Sequence, residues 1–430
     1  MKRREFLAVT AAVCALSKLS SASAATSDFG SINWKQQSGA KLNVFMARHP
    51  WQEAIEPEID QFRALTGINV QLSELPEDQY ATKVAADLSA GVFEYDVFMS
   101  QYYDAPRYEA MKWTAALDPL IHDPKLTDKT WYDWQDFFPG ARQIATIGGK
   151  YADRVAITAE AQILIYRKDV LAKLAITPPS DFDGLLAAAN KISKAGNISG
   201  ITLRGGTYAW WPFYGVVKSF GGEFLTPELK PVIDSPQDIA ALQMYAALAK
   251  DAPQGVTSYD WDEINTAMLS GQAAMFLDSS VIYSRIKDPS LSTVANDIGV
   301  APFPTGPAGR HGSSHYWSLS MAAASKRQDA GWLFIQWATS KPVQALLQSK
   351  GVLAPRASVY NTSGASKMYA PDFLEAVKTS LTSAVILPAN AKFFELMDPL
   401  RVAIQQVITG DSAADSSLKS VETQWQKILA

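Results

Sequence analysis

Between Leu42 and Met99 the chain alternates twice between the two-residue apolar period of a strand and the longer period of a helix. Leu42, Val44 and Met46 open on a strand, and Ala54, Ile55, Ile59, Phe62 and Leu65 then recur at helical spacing up to Gly67. Ile68, Val70 and Leu72 alternate as a second strand. Glu77 to Leu88 reads as a helix ending near Gly91, and Asp96–Val97–Phe98–Met99 is a third strand. Strand–helix–strand–helix–strand predicts a parallel, helix-covered sheet. Ligands of such sheets bind beyond the carboxyl ends of the strands. That rule nominates Arg48, His49 and Trp51 after the first strand, and Gln101, Tyr102, Tyr103 and Asp104 after the third.

A second alternation begins near Val155. Ala161 to Tyr166 is strand-like, Ser180 or Asp181 can cap a helix running to Lys194, and Ile198 to Leu203 reads as a strand. The aromatic cluster Tyr208, Trp210, Trp211, Phe213 and Tyr214 follows. Helices over 236–252 and 261–270 precede a strand at Ala273 to Leu277. Pro302 to Gly309 is a Pro/Gly loop, followed by Trp317 to Ala323, a helix over 329–339 and a mostly helical tail from Asp372. The fold class is therefore α/β, in two lobes with several crossings between them. The 12 Trp and 16 Tyr are an excess whose faces suit the C–H faces of sugars, although about two thirds should be core.

Residues 1–24 stand apart. Lys2, Arg3 and Arg4 precede the short apolar run Ala8 to Leu16, and Ala22–Ser23–Ala24 fits a cleavage site. This is an export signal, too short to span a membrane. The Arg3–Arg4 pair before Phe6–Leu7 points to the twin-arginine route, the alternative being a Sec signal with two arginines, with cleavage near Ala24 and a periplasmic destination. The leader carries four of the 39 basic and one of the 43 acidic residues, so the mature chain has a net charge of −7. An acidic exported chain has no electrostatic case for nucleic acid. Cys14 is the sole cysteine and leaves with the leader, which excludes disulfides and thiol catalysis. His311 and His315 flank Ser313–Ser314 in a Gly-rich loop and read as solvated rather than as metal ligands. GxSxG, Walker A and GxGxxG motifs are absent. Paired carboxylates remain open to a glycoside-hydrolase reading.

The segment Val155 to Leu171, with its apolar run, Tyr166 and Asp169, resembles the signature of bacterial extracellular solute-binding proteins, family 1, the sugar-type receptors of ABC importers. Arg167 stands where that signature has Asn. Further resemblances follow in the family's order: Gly67–Ile68–Asn69–Val70, Ala90–Gly91 with Tyr95–Asp96–Val97, Trp211–Pro212 with Gly221–Gly222, Leu269 to Met275, and Gly351 to Arg356. The resemblance implies a two-lobed periplasmic-binding-protein fold of type II, each lobe a mostly parallel sheet flanked by helices, joined by a multi-segment hinge. It divides the chain into 40–157 with 300–353, and 158–299 with 354–430. It implies a monomer that is not an enzyme, needs no cofactor or metal, closes on its ligand by hinge motion and delivers it to permease subunits in the inner membrane.

The resemblance also nominates residues. Glu160 matches a glutamate that contacts sugar hydroxyls in the maltose-binding member, Tyr208 falls where that member stacks a tyrosine, and Trp210 or Trp211 shares the role. Asp278 falls in a ligand-contacting loop, Trp317 where polyol and sugar receptors carry an aromatic, and Arg356 where several members place an arginine on the ligand. Further stretches are similar to mannitol and sorbitol receptors, so the expected ligand is a sugar or polyol. Arg48, His49, Arg204 and Arg356 leave room for an acidic or sulfonated sugar. The alternatives are a same-fold receptor for a polyamine or other small solute, and a secreted carbohydrate-active enzyme.

Overall fold

The computed structural model describes residues 29–363 and 368–430. Residues 1–24, read above as an export signal, lie outside the described residues. Nine strands are described: β1 (Lys41–Ala47), β2 (Asn69–Leu75), β3 (Val97–Gln101), β4 (Arg154–Ala156), β5 (Glu160–Arg167), β6 (Met275–Ser279), β7 (Ile298–Pro302), β8 (Ser314–His315) and β9 (Trp317–Met321). They form two sheets, one ordered β2–β1–β3–β9–β4 and one built on β5, with β6 and β7 on either side and β8 on its first residues.

The first sheet follows from the alternation at its start. β1 runs parallel to β2 from Lys41–Asn69 to Ala47–Leu75, and parallel to β3 at Val44–Val97. The crossover helices bury Ile59 and Phe62 against the sheet, and Gly67 closes the first of them with a left-handed φ of 73°. Phe62 meets Phe334 and Trp337 of the helix Gln328–Ala338, which joins the same core from far along the chain. Eight of the 12 Trp and ten of the 16 Tyr are buried, so the aromatic excess is mostly buried.

The second sheet corrects the expectation of mostly parallel pairing. Every neighbour of β5 is antiparallel to it. The reason is that β5 is not the product of a βαβ unit but a strand entering directly from the other lobe. β9 is the corresponding strand of the first sheet, antiparallel to both β3 and β4. The predicted strand 198–203 is reduced to two isolated parallel bridges, Ser199–Ala273 and Thr202–Phe276. Between them the amides of Gly200 and Ile201 turn aside to the Asp251 carbonyl.

The two entering strands share one hinge. β4 pairs with β9 and β5 with β8, so 154–161 and 314–320 cross as an antiparallel ribbon. At the crossing the Trp317 carbonyl accepts from the Ile157 amide at 2.8 Å, and the Trp317 amide donates to Thr158 Oγ1 at 3.1 Å. The Ala159 amide reaches the Leu353 carbonyl at 2.9 Å, which brings a third segment alongside. The boundaries differ from those expected. β7 still pairs with β5, and Ser313 still accepts from the Gln162 amide, so the return falls at 315–317 and not at 300. Residues 354–360 stay with the first core, where Pro355 accepts from Phe138 and Tyr360 is buried. The helix Pro371–Thr382 then covers β5 and β7, and Phe393–Thr409 pairs with Ala414–Leu429 in the second core.

Candidate functional site

The ribbon places Glu160 and His315 opposite one another in register, at the point where both crossings enter the second sheet. Ser279, at the end of β6, donates from Oγ to Glu160 Oε2 at 2.8 Å. Beside it lies Asp278, fully buried, held bidentately by Arg204 through Nε at 2.9 Å and Nη2 at 2.7 Å. The pairing follows from strand register. Two residues past the parallel Thr202–Phe276 bridge, Arg204 and Asp278 emerge side by side at the carboxyl ends of adjacent strands.

Arg204 is packed between rings. Its guanidinium lies 5.3 Å from the Trp211 centroid and 5.4 Å from that of Trp261. Trp211 is fixed by the hinge itself. Gln162 of β5 donates to the Pro212 carbonyl at 3.1 Å, and Ser313 donates to the Trp211 carbonyl at 2.7 Å, clamping the first turn of the helix Trp210–Phe220. The approach is so close that a Cβ at Gly215 would sit 2.4 Å from Gln162 Oε1 and 2.7 Å from the Ser313 amide. The Trp211 indole N–H is buried without an acceptor among the described residues. Trp261 is set by Asp260, whose carboxylate accepts from the Thr207 and Tyr208 amides at 2.8 Å each and whose own amide is capped by Glu263.

From the first lobe come Trp317, His49 and the turn after β3. The His315 ring lies 6.2 Å from Trp317, 5.7 Å from Tyr102 and 6.0 Å from Tyr103. His49 caps the helix Pro50–Ile55, accepting from the Trp51 amide, and its ring lies 5.5 Å from Trp317. Tyr103 stacks on Phe393 of the other core at 5.5 Å with planes 6° apart. Phe393 in turn meets Trp210 edge-on, and Trp210 meets Tyr208. The site therefore joins at Glu160: on one side Ser279 and Asp278 lead to Arg204 with Trp211 and Trp261, and on the other its strand partner His315 leads to Trp317 and His49, with Tyr103, Trp210 and Tyr208 at the flank.

Three nominated residues stand elsewhere. Arg356 is fully buried in the first lobe, donating to the carbonyls of Thr339, Asp133 and Tyr132 and lying 3.8 Å over Phe137. It is a structural arginine, because those carbonyls take its guanidinium donors and leave little to offer a ligand. Trp51 is fully buried core, and Arg48 is exposed and paired with Glu74. Gln101 contributes its backbone carbonyl, and Asp104 lies on the same turn. His315 also departs from expectation. It is not a solvated loop residue but a strand residue packed among rings. Arg204 was named only as a spare cation, and Trp261 and Ser279 not as contacts at all. The signal for the Arg204–Asp278 pair was the matching position of both residues just after short apolar strands.

Burial pushes the His49 imidazole down to about 4. His315 is pushed down to about 3, by burial first and then by His49 and Arg204. Both rings are thus neutral at pH 7. Unfolded, they would bind protons near 6.5. The folded state binds fewer protons, so their contribution is complete above about pH 6.5 and is lost as pH falls toward 4. Urea denaturation between pH 7 and 4.5 should show stability falling over this window. The His49→Gln, His315→Gln double variant should flatten the fall, and an unchanged slope would show that other groups carry it.

Residues 49–345 match the family described as bacterial extracellular solute-binding protein. The chain belongs to that family. It is 28% identical over 431 residues to the erythritol/L-threitol-binding protein of Mycolicibacterium smegmatis, covering 93% of this chain and 88% of the relative. It is 27% identical over 321 residues to the mannitol-binding protein of Pseudomonas aeruginosa, covering 71% of each. Among solved structures, an ABC-transporter solute-binding protein from Agrobacterium vitis S4 with bound D-mannitol superposes with a TM-score of 0.72 at 26% identity, over 91% of this chain and 98% of that one. The family is one of binding proteins rather than enzymes, and its members are extracellular.

Proposed function

We propose that this chain is the periplasmic receptor of an ABC importer, and that it captures an uncharged polyol or small sugar between its lobes and presents it, as a monomer, to the permease subunits in the inner membrane. The observation that carries this reading is the Arg204–Asp278 pair, set beside Glu160 and against Trp211 and Trp261 where the lobes cross. A polyhydroxylated chain offers hydroxyl donors to carboxylates, hydroxyl acceptors to a guanidinium, and apolar C–H faces to aromatic rings. The names of the erythritol and mannitol relatives, and the D-mannitol in the superposed structure, support the same ligand class.

The charge balance favours a neutral ligand. Arg204 is the permanent cation against these rings, and Asp278 matches it. His49 and His315 are neutral, and Glu160 adds a second carboxylate. An acidic or sulfonated sugar would have to compete with Asp278 for the Arg204 guanidinium. A polyamine would find the faces of Trp211 and Trp261 already in use by Arg204.

A thermal-shift screen against erythritol, ribitol, D-mannitol, D-glucose, maltose, D-gluconate, D-glucuronate and spermidine tests this. One neutral polyol or sugar should raise Tm, with about 2.7 kcal/mol of added stability at 100 times its Kd. A shift with only the acids or spermidine would overturn the neutral-ligand reading, and silence across the carbohydrates would overturn the receptor assignment.

A further inference from the structure

The turn Gln101–Asp104 is tied to the outgoing crossing by one buried side chain. Arg154 opens β4, six positions before Glu160, and is fully buried. Its Nε and Nη2 donate to the two oxygens of Asp153 at 2.7 and 2.8 Å. Its Nη1 donates to the Gln101 carbonyl at 2.6 Å. β9 lies between β3 and β4, with Arg154 opposite Ser320 and Gln101 opposite Trp317, so the side chain spans the strand that carries Trp317. Asp153 is itself anchored by Thr114 Oγ1 at 2.9 Å. The fork on Asp153 already satisfies a structural ion pair. The third donor adds a contact to the last residue before the rings that meet His315 and Phe393.

We infer that Arg154 is a positioning residue of the binding site, holding Tyr102, Tyr103 and Asp104 in register with the crossing strand that delivers Glu160. The inference rests on the receptor reading above and goes beyond it, because Arg154 touches none of the residues proposed to meet ligand except through backbone. It acts by pre-organisation: a turn held before ligand arrives costs less to order on binding. Asp104 supplies an independent reporter. Burial raises its carboxyl to about 6, against the pull of Arg154 and then Arg107. Tyr80 and Tyr108 face it from the neighbouring helices, and Asp153 lies beyond Tyr108. Removing the Arg154 charge should move Asp104 further up.

The test uses the full chain with Arg154→Gln and Arg154→Lys, titrated with D-mannitol and erythritol between pH 5 and 8, together with hydrogen exchange of the ligand-free protein. Arg154→Gln should weaken binding about tenfold or more, shift the pH midpoint of Kd upward and release protection at 101–105. Arg154→Lys should restore the midpoint while recovering only part of the affinity. If both variants lower Tm yet keep wild-type Kd and midpoint, Arg154 is only structural and the inference falls. If Arg154→Gln does not fold, the Lys variant decides through its affinity. If the wild type binds neither polyol, the receptor reading fails in that respect, and unchanged exchange at 101–105 then separately overturns the positioning claim.

Discussion

Asp278→Ala should cost about 3–5 kcal/mol of stability and most of the ligand affinity together. The carboxylate is fully buried and accepts two hydrogen bonds from Arg204, whose side chain is 13% exposed. Deleting it leaves a mostly buried guanidinium between Trp211 and Trp261 without its counter-charge. The rings then lose the group they pack against, and the hinge-clamped Trp211 no longer has a fixed partner. Urea denaturation reads the stability term, and calorimetric titration with the neutral polyol or sugar that raises Tm reads the affinity term. Asp278→Asn should be milder on both, because an amide oxygen still accepts one hydrogen bond. A loss below about 1 kcal/mol for Asp278→Ala would mean that the pair is solvated like a surface salt bridge, and its role in the site would fall with it.

Arg356→Met should give the opposite pattern: a stability loss of about 3–5 kcal/mol with affinity held within about twofold. The side chain is fully buried and donates to three backbone carbonyls, of which those of Thr339 and Tyr132 are reached in buried surroundings. Asp136, which Arg356 Nη1 also reaches at 3.4 Å, would be spared, since Ser358 donates to it from both its amide and its hydroxyl. The pocket of Tyr132 and Phe137 that holds the guanidinium belongs to the first core, away from the hinge ribbon. A large fall in affinity with little change in stability would return Arg356 to the ligand. The two variants together separate an arginine-carboxylate pair that faces the lobes' junction from an arginine that holds loops together.

Parts of this arrangement were legible in the residues and parts were not, for physical reasons. β1, β2 and β3 were readable because each is a short apolar alternation fenced by Gly67, by Gly91 or by a charged turn. Asp181 was readable as a helix cap, and it accepts from the Gly184 amide. The direction of β5 was not readable, because local spacing reports a strand but not which lobe the chain has just left. Arg204 was obscured by a preceding strand that makes only two bridges, its amides diverted to Asp251. His315 sits in a Gly-rich stretch whose composition reads as solvent-facing, whereas pairing with Glu160, 155 positions away, half-buries it among rings. Arg356 was misplaced because a motif identifies a position, while the carbonyls of Tyr132 and Asp133 that occupy it come from more than 220 residues earlier.

The crossing ribbon also sets an order of assembly. β9 sits between β3 and β4, so the first sheet cannot close until the chain has reached Met321, although its opening strand starts at Lys41. The second sheet has β5, β6 and β7 in hand by Pro302. The sheet begun first is thus closed second, and until then β3 presents an unpaired edge of Val97, Phe98 and Met99, an apolar template for wrong pairing. Pairings this distant in sequence make for slow closure. Whatever escorts the nascent chain must shield that edge for as long as it takes to supply 220 further residues, from Gln101 to Met321.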